Sequence, residues 1–126
     1  MVGKHAKKYL SPGPYSSITF TSGAITLRPI PDWILANGVM NAVEGLAQNL
    51  ALELAPIRVN VVQPGPVASE MWSDEELAGV KANVESNAPT QRLARPEDVA
   101  EAYLYTLKDP NLTGTVIKTD SGNDLK

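Results

Sequence analysis

The longest periodic stretch of the chain runs from Pro31 to Leu54. Leu35, Val39, Met40, Val43, Leu46, Leu50 and Leu54 recur there, mostly at spacings of three and four. That is the period of one face of an α-helix, so the pattern predicts a long helix that buries these seven residues. Asp32 stands near its start, where the helix dipole favours negative charge. Asn37-Gly38 is a weak point inside it, and Pro56 closes it.

Shorter runs flank this helix. Ser17-Ile18-Thr19-Phe20-Thr21 and Ile57-Arg58-Val59-Asn60-Val61-Val62 are β-branched or aromatic runs bounded by turn residues, and both predict strands. Thr113-Gly114-Thr115-Val116-Ile117-Lys118 predicts a third. Ser73-Asp74-Glu75-Glu76 has capping-box form and opens a helix to about Val84. Pro96, with Glu97 and Asp98 beside it, opens another that ends near Leu107. Residues 2–10 resemble the end of a helix, cut off by Ser11-Pro12-Gly13-Pro14, and are expected to mark a truncation. Arg28-Pro29-Ile30-Pro31 is a loop. The order β-α-β-α-α-β implies parallel strands joined by right-handed crossovers. The expected fold is α/β, the C-terminal half of a Rossmann-like doubly wound parallel sheet, with residues 1–126 forming a single partial domain.

Bulk composition narrows the function classes. The net charge of −3 gives no general reason to expect nucleic-acid or anionic-membrane binding. Lys4, Lys7 and Lys8 are read as a solvated helix face. With no cysteine, disulfides and thiolate catalysis are excluded. The one histidine, His5, sits among lysines, and no carboxylate cluster suggests a metal site. No apolar run approaches the ~20 residues that span a bilayer, and the N-terminus does not read as a secretory signal. A cytoplasmic location is the expectation.

Three sets of residues carry a family resemblance. Ala42-Val43-Glu44-Gly45-Leu46, followed by Leu50 to Val62 and by Pro64-Gly65-Pro66-Val67, resembles the central helix, sixth strand and Pro-Gly turn of short-chain dehydrogenases/reductases. Arg95-Pro96-Glu97-Asp98-Val99-Ala100 is similar to the start of that family's next-to-last helix. Thr113 to Ile117, with Asp120-Ser121-Gly122, resembles its last strand and the loop after it. The motifs occur in order and cover nearly the whole chain.

The resemblance implies a site and also two departures from it. Ser22 matches the family's catalytic serine, which polarises a substrate carbonyl. Pro64, Gly65, Pro66 and Val67 match the turn facing the nicotinamide carboxamide, and Ser69 stands where a cofactor-contacting threonine is usual. Arg28, Asp32, Trp33 and Trp72 fall where the substrate pocket would open. The family's Tyr-x-x-x-Lys, however, would lie at Ala36 and Met40, and the chain reads Ala36-Asn37-Gly38-Val39-Met40. General acid–base catalysis is worth about 10²–10⁴-fold and needs a titratable group at hand. Neither residue supplies one. No glycine-rich pyrophosphate-binding turn occurs in the 126 residues either.

These features imply an NAD(P)-dependent oxidoreductase fragment or divergent member, inactive in hydride transfer as an isolated chain. NAD or NADP would be bound in a full-length context, and weakly or not at all by this chain alone. Its substrate would be a small hydrophobic carbonyl or alcohol. The alternatives are altered, non-hydride chemistry and a non-catalytic interaction module. Self-association is expected through the helix at 31–54 or the open edge of the strand at 17–21, which carries none of the usual protection against edge pairing.

Overall fold

The computed structural model describes residues 2–125. Its main elements are α1 (Val2–Tyr9), β1 (Ser17–Thr21), α2 (Ile34–Glu53), β2 (Arg58–Pro64), α3 (Asp74–Asn87), α4 (Pro96–Lys108) and β3 (Val116–Thr119). Short 3₁₀ turns occupy Ala24–Thr26 and Asn123–Leu125. The three strands form one parallel sheet in the order β1-β2-β3, with Ser17 opposite Arg58 and Val61 opposite Val116. This is the α/β half-sheet that the sequence predicts. The third strand starts later than expected, at Val116, because Thr113–Thr115 instead tie the preceding loop to β2. The Thr113 hydroxyl accepts from Val59 N at 3.1 Å, and Gly114 N donates to Val59 O at 2.7 Å.

Alternation along β2 divides the core. Val59 and Val61 face α2 and pack with Ala47, Leu50, Ala51 and Leu54, together with Ala6 of α1 and Ile18 and Phe20 of β1. Val62 faces the other way, onto Ala94 and onto Val99, Ala102 and Tyr103 of α4. The result is three layers, helix–sheet–helix. Beside them, Val84 of α3 packs with Ala88 and Leu93 in a smaller cluster. Ser73 caps α3 as its motif predicts: its side chain accepts from Glu76 N, and the Glu76 carboxylate accepts from Ser73 N at 2.9 Å. Those bonds hold the Glu76 carboxyl below its ordinary pKa. Lys7 and Lys8 are exposed on α1, as a solvated face requires, while the Lys4 side chain lies outside the described residues.

Two polar residues of β2 join the layers. The Arg58 guanidinium is buried and donates to the carbonyls of Pro14, Thr106, Leu107 and Leu112, at 2.5 to 3.1 Å. Two of those carbonyls belong to the last turn of α4, where the helix leaves its acceptors unpaired and its dipole is negative. Asn60, fully buried, donates to Leu112 O at 2.9 Å and accepts from Thr115 N at 3.2 Å.

The long helix differs from its sequence pattern. It begins at Ile34 rather than Pro31, and Asp32 lies outside it in a left-handed conformation (φ 67°) rather than in its first turn. It runs unbroken through Asn37-Gly38. The residues it buries are Ala47, Leu50, Ala51 and Leu54, whereas Leu35 and Val39 are 83% and 65% exposed. Apolar residues occupy more than one side of α2, so spacing alone could not show which side meets the sheet. Ala47 and Ala51 pack there beside Leu50 and Leu54. Leu46, half exposed at 51%, therefore tolerates a charge that Leu50, at 9%, does not. Leu50→Asp should cost about 4 kcal/mol or more in urea denaturation, and Leu46→Asp about 1 kcal/mol or less. Equal losses would place Leu46 in the core after all.

Candidate active site

In an open parallel sheet, ligands bind in the crevice outside the carboxyl ends of the strands. Here those ends are Thr21-Ser22, Gln63-Pro64 and Thr119-Asp120. Ser22 continues the β1 ladder, with its N–H donating to Val62 O at 2.9 Å. Its side chain is 3% exposed, and its hydroxyl is the one buried side-chain polar atom without a hydrogen-bond partner among the described residues. Leaving such a group unpaired costs about 1–3 kcal/mol.

Behind Ser22 stands α2. A side chain on Gly23 would meet Met40 Sδ at 3.0 Å, so the thioether packs directly on the backbone after the serine. Ala36, one turn earlier, is half-buried, and α2 contains no tyrosine. The Tyr103 phenol is spent on the other face of the sheet, 2.6 Å from Thr21 Oγ1. The contact recorded between α2 and the backbone after Ser22 is thus a thioether, and the two positions Ala36 and Met40 carry no titratable group.

The turn after β2 is fixed by the chain itself. Gly65 N donates to Thr119 O at 2.9 Å, and a Cβ at Gly65 would fall 2.7 Å from Asp120 Cα. The glycine is thus required by the close approach of β3's end. Pro64, Pro66 and Val67 are half-buried, and Val67 O accepts from Trp72 Nε1 at 2.9 Å. Ser69, Trp72, Met71 and Leu77 line an open cleft of about 750 Å³, closed on one side by Pro96. Arg28, Asp32 and Trp33 do not line that cleft; they sit together in the segment entering α2. Arg28 reaches across to Asn123 O at 3.0 Å. That contact ties the α2 entry to the C-terminal turn, where Asp120 accepts from Gly122 N and Lys118 pairs with Asp124 at 2.7 Å. The Lys118 bond holds the Asp124 carboxyl below its ordinary value.

The sequence pattern does not single out a part-buried group formed by Thr26, Glu44 and the buried Gln63, although a glutamine at the end of a run of valines is a signal. Among the described residues no cluster of three His, Cys, Asp or Glu can hold a metal ion, and no helix is long and apolar enough to cross a membrane.

A helix–sheet–helix half-domain with this crevice belongs to the dinucleotide-binding α/β class. Residues 1–126 match the family model described as an SDR-like Rossmann domain, and the chain belongs to the short-chain dehydrogenase/reductase family. It is 44% identical over 129 residues to the short-chain dehydrogenase/reductase malC of Malbranchea aurantiaca, covering 100% of this chain and 49% of that protein. It is 43% identical to the short-chain dehydrogenase/reductase ATR9 of Stachybotrys chlorohalonatus, covering 51% of it. The chain thus spans about half the length of the curated relatives it matches. The solved structure of MalC, described as a reductase/Diels-Alderase, superposes with a TM-score of 0.95 over 99% of this chain and 48% of that one. A small-chain dehydrogenase in complex with NADPH, 31% identical, superposes with a TM-score of 0.91 over 98% of this chain and 57% of its own.

The start of α4, whose Pro96 borders the cleft, is braced by charge. Asp98 Oδ2 accepts from Arg92 Nη1 at 2.6 Å and from Arg95 N at 2.8 Å. The Arg92 hydrogen bond first, then the Arg95 N–H, push the Asp98 carboxyl down to about 2. Because the folded value lies below the ordinary value of about 3.9, this brace is fully present above pH ~4 and is lost as the pH falls through about 2. Carboxyl NMR should follow Asp98 titrating near 2; titration near 4 would mean that the brace is not formed.

Proposed function

We propose that the chain is the substrate-facing half of an NAD(P)-dependent short-chain dehydrogenase/reductase whose site operates without the family's Tyr–Lys pair. The observation that carries this reading is the buried, unpartnered Ser22 hydroxyl at the end of β1, walled by Met40 where the family has its lysine. In a full-length context NAD or NADP supplies the hydride. Ser69 and the turn Pro64 to Val67 would lie toward its nicotinamide end, and the NADPH complex of a structural neighbour supports that choice of cofactor. Ser22 would donate a hydrogen bond to the oxygen of a small hydrophobic carbonyl or alcohol. Trp72 would hold the substrate from the cleft side, and Arg28, Asp32 and Trp33 from the α2 entry.

As an isolated chain it is inactive in hydride transfer. Purified chain given NADPH and a panel of ketones and quinones should show no reduction above background. Turnover that survives repurification and is lost in Ser22→Ala would overturn this. NADPH should bind with a dissociation constant weaker than ~1 mM, since the pyrophosphate-binding turn that supplies most anchoring is not among these residues. A micromolar constant by calorimetry would show another phosphate-binding surface. A second reading, altered non-hydride chemistry, is favoured by the apolar wall at Met40 and supported by the description of MalC as a reductase/Diels-Alderase.

Self-association is a further part of the proposal. Leu35, Val39 and Leu46 form an exposed apolar row on α2, and β1 has no strand on its outer side among the described residues. Light scattering after size exclusion should give a mass above the 13.5 kDa of one chain, and Leu46→Asp should lower it. A monomer in both cases would exclude this interface.

A further inference from the structure

Gln63 stands on β2 directly before Pro64, in the row that faces α2 after Val59 and Val61. It is as deeply buried as they nearly are, at 3% exposed. Its amide Nε2 donates to Thr26 Oγ1 at 2.7 Å and to Glu44 Oε1 at 2.8 Å. The Thr26 hydroxyl donates to the same Glu44 oxygen at 3.1 Å. The amide's orientation is forced, because turning it over would set its oxygen against a carboxylate oxygen. Both amide N–H groups and the hydroxyl proton are used, so the three side chains close a ring.

The ring joins the three segments that build the crevice. Thr26 lies four residues after Ser22, Glu44 lies one turn beyond Met40 on α2, and Gln63 adjoins the Pro64-Gly65 turn. Met40 already presses on Gly23. The helix therefore meets the Ser22 loop at two successive turns, first through packing and then through hydrogen bonds. An aliphatic side chain at position 63 would continue the valine row without any polar group to satisfy. A buried amide bonded to a carboxylate brings desolvation that packing alone would avoid. What it adds is direction: apolar contact lets a loop slide, whereas a closed ring fixes its register.

We infer that Thr26, Glu44 and Gln63 are positioning residues, a side-chain ring that holds the Ser22–Thr26 backbone against the carboxyl end of β2. What Ser22 is positioned for rests on the proposed function; the hold on the backbone does not.

Native-state amide hydrogen exchange on the full 126-residue chain, without ligand, tests the ring. The amides of Thr26, Leu27 and Arg28, bonded to the Gly23 and Ala24 carbonyls, report on the loop. Those of Val59 and Val61 report on the sheet. Thr26→Val removes the hydroxyl at nearly constant volume, Gln63→Leu removes the amide, and Thr26→Ser keeps the hydroxyl. The expected result is exchange about tenfold faster in the loop for Thr26→Val and Gln63→Leu, the size of one lost hydrogen bond. The sheet amides should change much less, and Thr26→Ser should behave as wild type. Unchanged loop exchange, a parallel rise in loop and sheet, or failure of Thr26→Ser to restore protection would each overturn the inference. NADPH does not enter the measurement, so its outcome is independent of the binding and turnover tests of the proposed function.

Discussion

The half-sheet depends on a buried cation that has no salt-bridge partner among the described residues. Arg58 sits in the middle strand and directs its guanidinium at four backbone carbonyls, drawn from the loop before β1, the end of α4 and the loop before β3. A buried arginine is normally costly. Here the negative end of the α4 dipole lies against it, and two of the carbonyls it takes, those of Thr106 and Leu107, belong to the last turn of that helix, where the helix itself leaves acceptors unpaired. Three segments distant in sequence are thereby fixed to β2 at the amino end of the sheet. With that end closed, the carboxyl end is free to open as a crevice.

The same division explains what sits at the crevice. Ser22 can keep an unsatisfied hydroxyl because its loop is secured elsewhere, by Met40 on Gly23 and by the ring at Gln63. A local cost of a kcal/mol or more is tolerated where the surrounding contacts over-determine the conformation. Asp120, fitted against Gly65 and capping the C-terminal turn, plays the corresponding part for β3.

The sheet was legible in the sequence because each strand is a short β-branched run between turn residues, and the capping box at Ser73 was legible because its two bonds lie within four residues. The buried side of α2 was not. Large apolar residues lie on more than one side of that helix, and the sheet meets the side bearing Ala47 and Ala51. Asp32 was misplaced for a related reason. An acid just ahead of an apolar period has the form of a helix start, but the turn after Pro31 puts it in the left-handed region, two residues outside. For the site, Ser22 and the Pro64-Gly65 turn were found through motif order. The separation of Trp72 from Trp33 and Arg28 was not, because it depends on where two loops run in space. Gln63 is not singled out by any motif, although a polar residue ending a valine run raises the question of its partner.

The replacement of a titratable pair by Ala36 and Met40 also changes what the crevice can do physically. A lysine at position 40 would bring a charge beside Gly23 and require hydration or a partner. A thioether fills the same place with a soft apolar surface that needs neither. Without the charge, nothing there lowers a phenol's pKa or draws water toward Ser22. The serine's hydroxyl is buried, and in such surroundings a single hydrogen bond is electrostatically stronger than it would be in water. A site of this kind favours orienting and polarising a bound molecule over passing a proton to it. On the proposed reading, chemistry at Ser22 therefore requires that the proton come from outside α2 or that the reaction transfer none.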